Sequence, residues 1–165
     1  LKHFTARDVV SRWDVLEAHT RATATTAAGF LVRLLERMPF PVRAIQVDGG
    51  SEFQAGFETE CQQRGIHLFV LPPRSPKLNG CVERAQRTHT EEFYEVVDFS
   101  LQVPALNQEL QAWEHTYNTI RPHQALGYLT PHQFVTLWQC QRKDQKCHPS
   151  TGAVAEVGRG WNQER

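Results

Sequence analysis

Short strands alternate with amphipathic helices along this chain, and this alternation constrains the fold most sharply between residues 23 and 47. Apolar side chains in residues 23–38 recur at helical spacing: Phe30, Leu31, Leu34, Leu35 and Met38. Pro39 and Pro41 end that helix, because proline lacks the N–H that a helical hydrogen bond needs. The strand-forming run Ala44–Val47 follows at once. A helix and a strand in such close succession indicate an α/β fold.

The rest of the chain follows the same pattern. Residues 3–10 and 11–19 predict two strands joined by a tight connection near Asp8, and residues 67–71 predict another strand. Apolar spacing predicts helices at residues 57–63, 79–97, 104–118 and around 134–138. We therefore predict a mixed sheet flanked by helices, with the Trp113–Tyr117 stripe packed in the core.

From about residue 143 the apolar periodicity gives way to polar, glycine-containing sequence. We predict that Lys143–Arg165 is a poorly ordered tail. The predicted division is a core at residues 1–137 and a C-terminal segment at residues 138–165, which holds a helix end and the tail.

The composition excludes several classes of protein. No apolar run approaches the roughly 20 residues of a membrane helix, so we expect a soluble, cytoplasmic protein without a membrane partner. Four scattered cysteines are too few for a disulfide framework, and we expect reduced thiols. The 18 basic residues balance the 18 acidic ones, which argues against a stand-alone DNA-binding module but leaves room for a local basic patch.

Two carboxylates occupy positions that often bind ligands. Asp48 ends a predicted strand, and the two glycines after it let the backbone turn. Glu83 lies one turn into the helix predicted to begin near Asn79. Each has an ordinary explanation: an Asp-Gly turn for Asp48, and a favourable charge at the positive end of a helix for Glu83.

The sequence around this pair favours a functional interpretation. Residues 46–53 (QVDGGSEF) and 75–84 (SPKLNGCVER) resemble the second and third acid motifs of retroviral-type integrases and insertion-sequence transposases. Residues 117–127 (YNTIRPHQALG) resemble the segment that closes the transposase core, and residues 4–12 (FTARDVVSR) its second-strand hairpin. The resemblance covers about residues 3–136.

This resemblance implies a ribonuclease H-like fold and a DDE active site, in which three carboxylates hold two Mg²⁺ ions for phosphodiester hydrolysis and strand transfer. Asp48 and Glu83 match two of the three metal-binding, catalytic acids. The implied partner is DNA, at the element ends and the target. Joining two ends implies at least a homodimer.

The third acid of this family lies on a first strand ahead of the hairpin, and we expect that strand to be missing or incomplete here. Asp8 is the available substitute, but its surroundings better resemble a second-strand aspartate that binds no metal. Hairpin chemistry with Ser11 is the alternative role for Asp8. Many relatives carry Asn where this chain has Gly49. With two acids, we expect weak metal binding and hypothesise that the chain alone is inactive.

Four basic residues lie near the start of the Glu83 helix, and we predict that they contact DNA phosphates. They are Arg74, Lys77, Arg84 and Arg87. The alternatives are solvated surface charges or a Glu83–Arg87 ion pair along the helix. We expect His89 to lie on an exposed helix face and His123 in a turn.

Two other functions stay open. One is a non-catalytic remnant, or a transposase domain that binds only DNA or a protein partner. The other is a ribonuclease H-like nuclease that acts on RNA–DNA hybrids.

Overall fold

The computed structural model of the chain describes residues 1–72, 80–144 and 153–160, with side chains described as far as residue 142. Within these residues five strands form one sheet: β1 (Lys2–Asp8), β2 (Asp14–His19), β3 (Val42–Asp48), β4 (His67–Leu71) and β5 (Ala153–Gly160). The α-helices of the same described ranges that flank it are α1 (Ala24–Arg37), α2 (Gly56–Gln63), α3 (Gly80–His89), α4 (Val103–Thr119) and α5 (Pro131–Asp144). The predicted α/β fold with a mixed, helix-flanked sheet is confirmed.

The sheet has the strand order β2-β1-β5-β3-β4. The β1–β2 hairpin is antiparallel, and β3 and β4 are parallel. The C-terminal strand β5 lies between these two pairs, antiparallel to β1 and parallel to β3. The two halves of the sheet are thus joined through β5.

The prediction of a poorly ordered tail is therefore wrong for residues 153–160, which form a central strand. Its sequence, AVAEVGRG, is short and rich in small residues, so its strand character depends on pairing with β1 and β3, whose residues lie far away in the sequence. The other parts of the predicted tail, residues 145–152 and 161–165, lie outside the described residues.

The two faces of the sheet carry separate cores. On one face Phe4 and Val15 pack with Phe30 of α1 and Phe57 of α2 in the larger cluster of buried side chains. On the other face Leu16 packs with apolar residues from α4 and from the chain just after α3. Alternation along β1 and β2 separates the faces, since successive strand residues point to opposite sides.

Helix ends follow local chemistry. Thr23 caps α1 by accepting a hydrogen bond from the Thr26 N–H, and the Thr26 hydroxyl in turn accepts from the Thr23 N–H. Met38, just before the prolines, is the C-cap. The helix predicted at residues 79–97 is shorter than expected: α3 ends at His89, and a single π-helical turn continues it through residues 90–94.

The edge strand β2 is covered by side chains of α4. Asn118 accepts a hydrogen bond from the Asp14 N–H (2.9 Å) and donates one to its carbonyl oxygen (2.8 Å). Asn107 does the same for Ala18, at 2.7 and 2.9 Å. Glu114 accepts from the Leu16 N–H at 2.8 Å. The outward backbone groups of β2 are thereby satisfied, which closes this edge to another strand.

Candidate functional site

Asp48 is the last residue of β3, and the chain turns sharply after it. The Gly50 N–H donates to the Asp48 carbonyl oxygen, and a short 3₁₀ turn follows at residues 51–53. A Cβ placed on Gly49 would lie 3.7 Å from Val70 Cγ1, an ordinary contact distance. A Cβ is therefore tolerated at position 49, where the sequence comparison expected Asn in many resembling proteins.

Glu83 lies in the first turn of α3 and is exposed. The buried residues of α3 are Val82, Ala85 and His89, so the helix packs through the side that carries them. That side contacts β1 and β5. Asn79, near which this helix was predicted to begin, lies outside the described residues.

Asp48 and α3 belong to the same face of the sheet. Ile45 and Val47 join the cluster that contains α1 and α2, so the alternate residues Gln46 and Asp48 belong to the opposite face. His89 of α3 contacts Asp14 on that opposite face. Within the described residues, no group of three or more His, Cys, Asp or Glu side chains is arranged to hold a metal ion. The roles of Asp48 and Glu83 as metal ligands therefore stay a prediction.

Asp8 is placed as its hairpin interpretation requires. Its Oδ2 accepts hydrogen bonds from the Ser11 N–H (2.7 Å) and the Ser11 hydroxyl (2.6 Å). In the register of the sheet Asp8 pairs with Ala155, which pairs with Ile45. Asp8 is thus separated from Asp48 by two strand spacings across the sheet and by three residues along β3, which puts their Cα atoms about 14 Å apart. The two residues also lie on opposite faces of the sheet. Asp8 cannot share a metal ion with Asp48.

The predicted basic patch is described in part. Arg84 and Arg87 are both exposed on α3. The Arg87 Nε donates to Glu91 Oε1 at 2.7 Å, so its helical ion pair is with Glu91 and not with Glu83. Arg74 and Lys77 lie outside the described residues. Their role in DNA contact, and that of Arg84 and Arg87, stays a prediction.

A buried polar cluster fixes α3 on the sheet, and the sequence did not reveal it. Arg7 donates to both Asp14 oxygens at 2.6 Å, and also to the Tyr117 hydroxyl. His89 Nε2 lies 2.9 Å from Asp14 Oδ2, and its Nδ1 accepts from the Trp113 indole N–H at 3.0 Å. The prediction that His89 is exposed is wrong, because its side chain is buried in this cluster. Tyr117 is buried as predicted.

The protonation of this cluster follows from its contacts. Burial alone would raise the pKa of Asp14, but the Arg7 guanidinium and His89 bring it below the usual value. Burial lowers the pKa of His89 despite the neighbouring Asp14, so the ring is neutral near pH 7. Since the Trp113 indole can only donate, His89 Nδ1 is the acceptor and the proton lies on Nε2, facing Asp14. The sequence feature that could have indicated the burial of His89 is its spacing from Val82 and Ala85, which places the three residues on one face of the helix.

A cavity of about 440 Å³ lies away from the acids. It is lined by Asp8, by the segment between α1 and β3, and by Phe134 and Trp138 of α5. This is the end of the sheet where β3 begins, whereas Asp48 ends that strand, about 20 Å away along its length. The cavity is therefore not part of the acid site.

Comparisons with known proteins agree with this architecture. The family model described as "Integrase core domain" matches residues 64–131. An "Insertion element IS476 uncharacterized 39.2 kDa protein" of Xanthomonas euvesicatoria is 29% identical over 121 residues, 70% of this chain and 34% of that protein. "Putative transposase InsD for insertion element IS2E" of Escherichia coli (strain K12) is 28% identical over 102 residues, 61% of this chain and 46% of that protein. The chain thus spans between a third and a half of these relatives.

Among solved structures, the catalytic core domain of BIV integrase superposes with a TM-score of 0.65 at 22% identity, covering 87% of this chain and 90% of that one. The fold is thus that of an integrase catalytic core, ribonuclease H-like. Together with the family model and the insertion-element relatives, this fold makes the chain similar to transposase/integrase cores. No helix in the described ranges is both long and apolar enough to span a bilayer.

Proposed function

We propose that this chain performs the DNA cleavage and joining steps of transposition, with divalent metal ions held by Asp48 and Glu83. The observation that carries this proposal is the placement of the two acids. One ends a central strand and the other opens a helix packed on the same face of that sheet, in a chain similar to integrase cores.

The residues at this place fit a hard divalent cation. Carboxylate oxygens are the ligands that Mg²⁺ prefers, and an exposed helix start leaves its other coordination positions open to water and phosphate. When bound, two such ions would activate an attacking hydroxyl and stabilise the leaving 3′-oxygen of a phosphodiester. Asp48 would be held by the strand and Glu83 by its helix, which are regular elements of the scaffold.

The basic residues beside Glu83 are proposed to position the DNA backbone. Arg84 and Arg87 are exposed on the helix that carries Glu83, within about one turn of it. The Arg87–Glu91 ion pair is exposed and screened by solvent, so it leaves Arg87 available to a phosphate. Arg74 and Lys77, close in sequence, are proposed to extend the same patch. Replacing any one of these four should reduce the slope of log affinity against log salt by about one.

Transposition joins DNA ends to a target, so we propose DNA as the substrate and at least a homodimer as the working assembly. The curated relatives are two to three times as long as the matched segments. Element-end recognition is therefore proposed for the whole protein and not assigned to particular residues of this chain.

The test is a nicking and joining assay on labelled duplex DNA with Mg²⁺ or Mn²⁺, comparing the chain with Asp48→Asn and Glu83→Gln. Glu58→Gln is the matched control, since Glu58 is exposed on α2, whose packing is on the other face of the sheet. We expect metal-dependent products from the chain and the control, and a loss of at least about 100-fold in either site variant.

Products that form equally well in EDTA, or with Asp48→Asn, would contradict the proposed function. The proposal departs from the hypothesis that two acids leave the chain inactive, and the same assay separates the two. Metal-dependent nicking by the unmodified chain would support the proposal and refute the hypothesis, whereas no products from the unmodified chain would do the reverse. Cleavage of RNA–DNA hybrids without DNA joining would favour the nuclease alternative.

A further inference from the structure

The cavity of about 440 Å³ beside α5 has the size of a small-molecule site. Ligand pockets in proteins typically measure about 300–1,000 Å³. Two parts of the chain form its walls, the segment 39–41 and helix α5. Gln139 of α5 donates a hydrogen bond to the Pro39 carbonyl oxygen at 3.3 Å, which links the two walls. The cavity is therefore bounded by elements that contact each other.

The floor of the cavity carries a carboxylate oxygen that accepts no hydrogen bond. Asp8 and Ser11 line the cavity, and each is only 2% exposed. Asp8 Oδ2 accepts both hydrogen bonds from Ser11, whereas Asp8 Oδ1 is buried without a partner. A buried acceptor without a partner costs free energy, and an N–H group of a ligand would satisfy it. The floor thus favours a ligand with a hydrogen-bond donor.

The rim of the cavity is positively charged. Arg43 and Arg142 line the cavity, and both are exposed. The Arg142 guanidinium lies over the Trp138 ring, 4.5 Å from its centroid. Among the described residues, neither arginine forms an ion pair with an acidic side chain. The rim thus favours an anionic group, and a phosphate matches the fork of donors on a guanidinium.

Between the floor and the rim the cavity is aromatic. Phe40, Phe134 and Trp138 line it and are half-buried. Aromatic rings of this kind stack on nucleobases. A nucleotide meets all three requirements, because it has a flat base with N–H donors at one end and a phosphate at the other. A metal ion does not, since Asp8 is the one acidic residue among the described residues that line the cavity.

We propose that this cavity binds one unpaired nucleotide whose base carries an exocyclic amino group. The amino group donates to Asp8 Oδ1, the base stacks on the aromatic side chains, and the phosphate contacts Arg43 and Arg142. A base held in this way cannot also be stacked in a duplex, so the nucleotide is either free or part of an unpaired strand. The inference goes beyond the proposed function, because the cavity lies about 20 Å from Asp48 and needs no metal ion.

The test is ligand-observed NMR titration of the 165-residue chain in EDTA with dAMP, with dTMP or with a short single strand of deoxyadenosines. Asp8→Asn keeps one oxygen as the acceptor for Ser11 and replaces the other with a donor. Arg43→Gln removes a charge at the exposed rim. Thermal unfolding checks that each variant is folded.

Arg21→Gln is the matched control for the loss of a positive charge. Arg21 is exposed and follows β2, which ends at His19 opposite Lys2, whereas the cavity lies at the Asp8 end of the same hairpin. The control therefore removes an exposed cation at the far end of the sheet.

We expect dAMP and the single strand to bind, and Asp8→Asn and Arg43→Gln to weaken the binding at least about tenfold. Arg21→Gln should leave it unchanged. The loss with Asp8→Asn is the decisive result, because removing a negative charge would strengthen the binding of an anion that does not contact Asp8. dTMP should bind more weakly than dAMP, since thymine has a carbonyl oxygen where adenine has its amino group.

Tighter binding of the single strand than of dAMP would identify an unpaired DNA strand as the source of the nucleotide, and the reverse would identify a free nucleotide. The inference is overturned if neither probe binds, if both variants bind as the unmodified chain does, or if dTMP binds as tightly as dAMP. Since these titrations contain no metal ion, their failure leaves the proposed function to its own nicking assay.

Discussion

Replacing Asp14 with Asn should destabilise the protein severely, because Asp14 neutralises a buried arginine. The Asp14 side chain is fully buried and that of Arg7 is 4% exposed. Asn preserves the shape of Asp14 but removes its charge, so the guanidinium stays buried beside two neutral acceptors, the Tyr117 hydroxyl and the Cys81 carbonyl oxygen. Removing one partner of a buried ion pair costs about 3–5 kcal/mol. We expect about 3 kcal/mol for Asp14→Asn, since the amide oxygen still accepts one hydrogen bond.

The assay is urea unfolding at pH 7, followed by fluorescence, with thermal unfolding as a second probe. In a chain of this size, about 3 kcal/mol corresponds to a fall in Tm of roughly 6–12 °C. The double variant Arg7→Met/Asp14→Leu should recover part of the stability, because it removes both charges. The pKa of Asp14 is lowered in the folded state, so its contribution is present above about pH 4 and disappears as the pH falls through the folded pKa. A destabilisation below about 1 kcal/mol at pH 7 would refute this reasoning.

Four further predictions follow from single structural features. Asn118→Leu should cost about 2–4 kcal/mol in urea unfolding, because the N–H and carbonyl of Asp14 are left without their Asn118 partner; a cost under about 1 kcal/mol would contradict the role of α4 as an edge cover. Burial lowers the pKa of His3 to about 3, so below about pH 6.5 the unfolded state binds more protons than the folded state and the free energy of unfolding falls as the pH falls. His3→Phe should reduce the slope of the unfolding free energy against pH by about 1.4 kcal/mol per pH unit between about pH 5 and 6. An unchanged slope would count against this prediction. Ala55 has φ 47° and ψ −96°, so Ala55→Gly should raise the unfolding free energy by about 0.5–2 kcal/mol, whereas a decrease would show that the strain is absent. Gly49→Asn should change stability by less than about 0.5 kcal/mol, because the added side chain has room; a larger destabilisation would indicate a clash.

Local sequence patterns predicted most of the elements that hold the acids. The helix predicted from Thr23 to Met38 is α1, with those two residues as its caps, and the strand predicted at residues 67–71 is β4. The period of the apolar residues and the positions of the prolines are enough to predict these elements, because both act within one helix or strand. The position of Asp48 at a strand end was predicted for the same reason.

The parts that failed depend on distant partners. Strand β5 has little apolar periodicity of its own, and its place in the sheet comes from β1 and β3, which lie more than 100 residues earlier. The burial of His89 depends on two residues far away in the sequence: Asp14 accepts a hydrogen bond from its ring and Trp113 donates one to it. In an isolated helix the polar ring would lie in water. Because His89 is polar, it does not count as part of the apolar stripe of its helix, and the hydrophobic pattern alone favoured an exposed position for it.

The most direct measurement of the central claim is an anomalous difference map from crystals of the chain soaked in MnCl₂. We predict a Mn²⁺ peak on the sheet face that carries Asp48, within about 2.0–2.6 Å of carboxylate oxygens of Asp48 and Glu83. The same peak should be absent from crystals of Asp48→Asn. Manganese bound only elsewhere, or a peak that persists without the Asp48 carboxylate, would contradict the claim that these acids form the metal site.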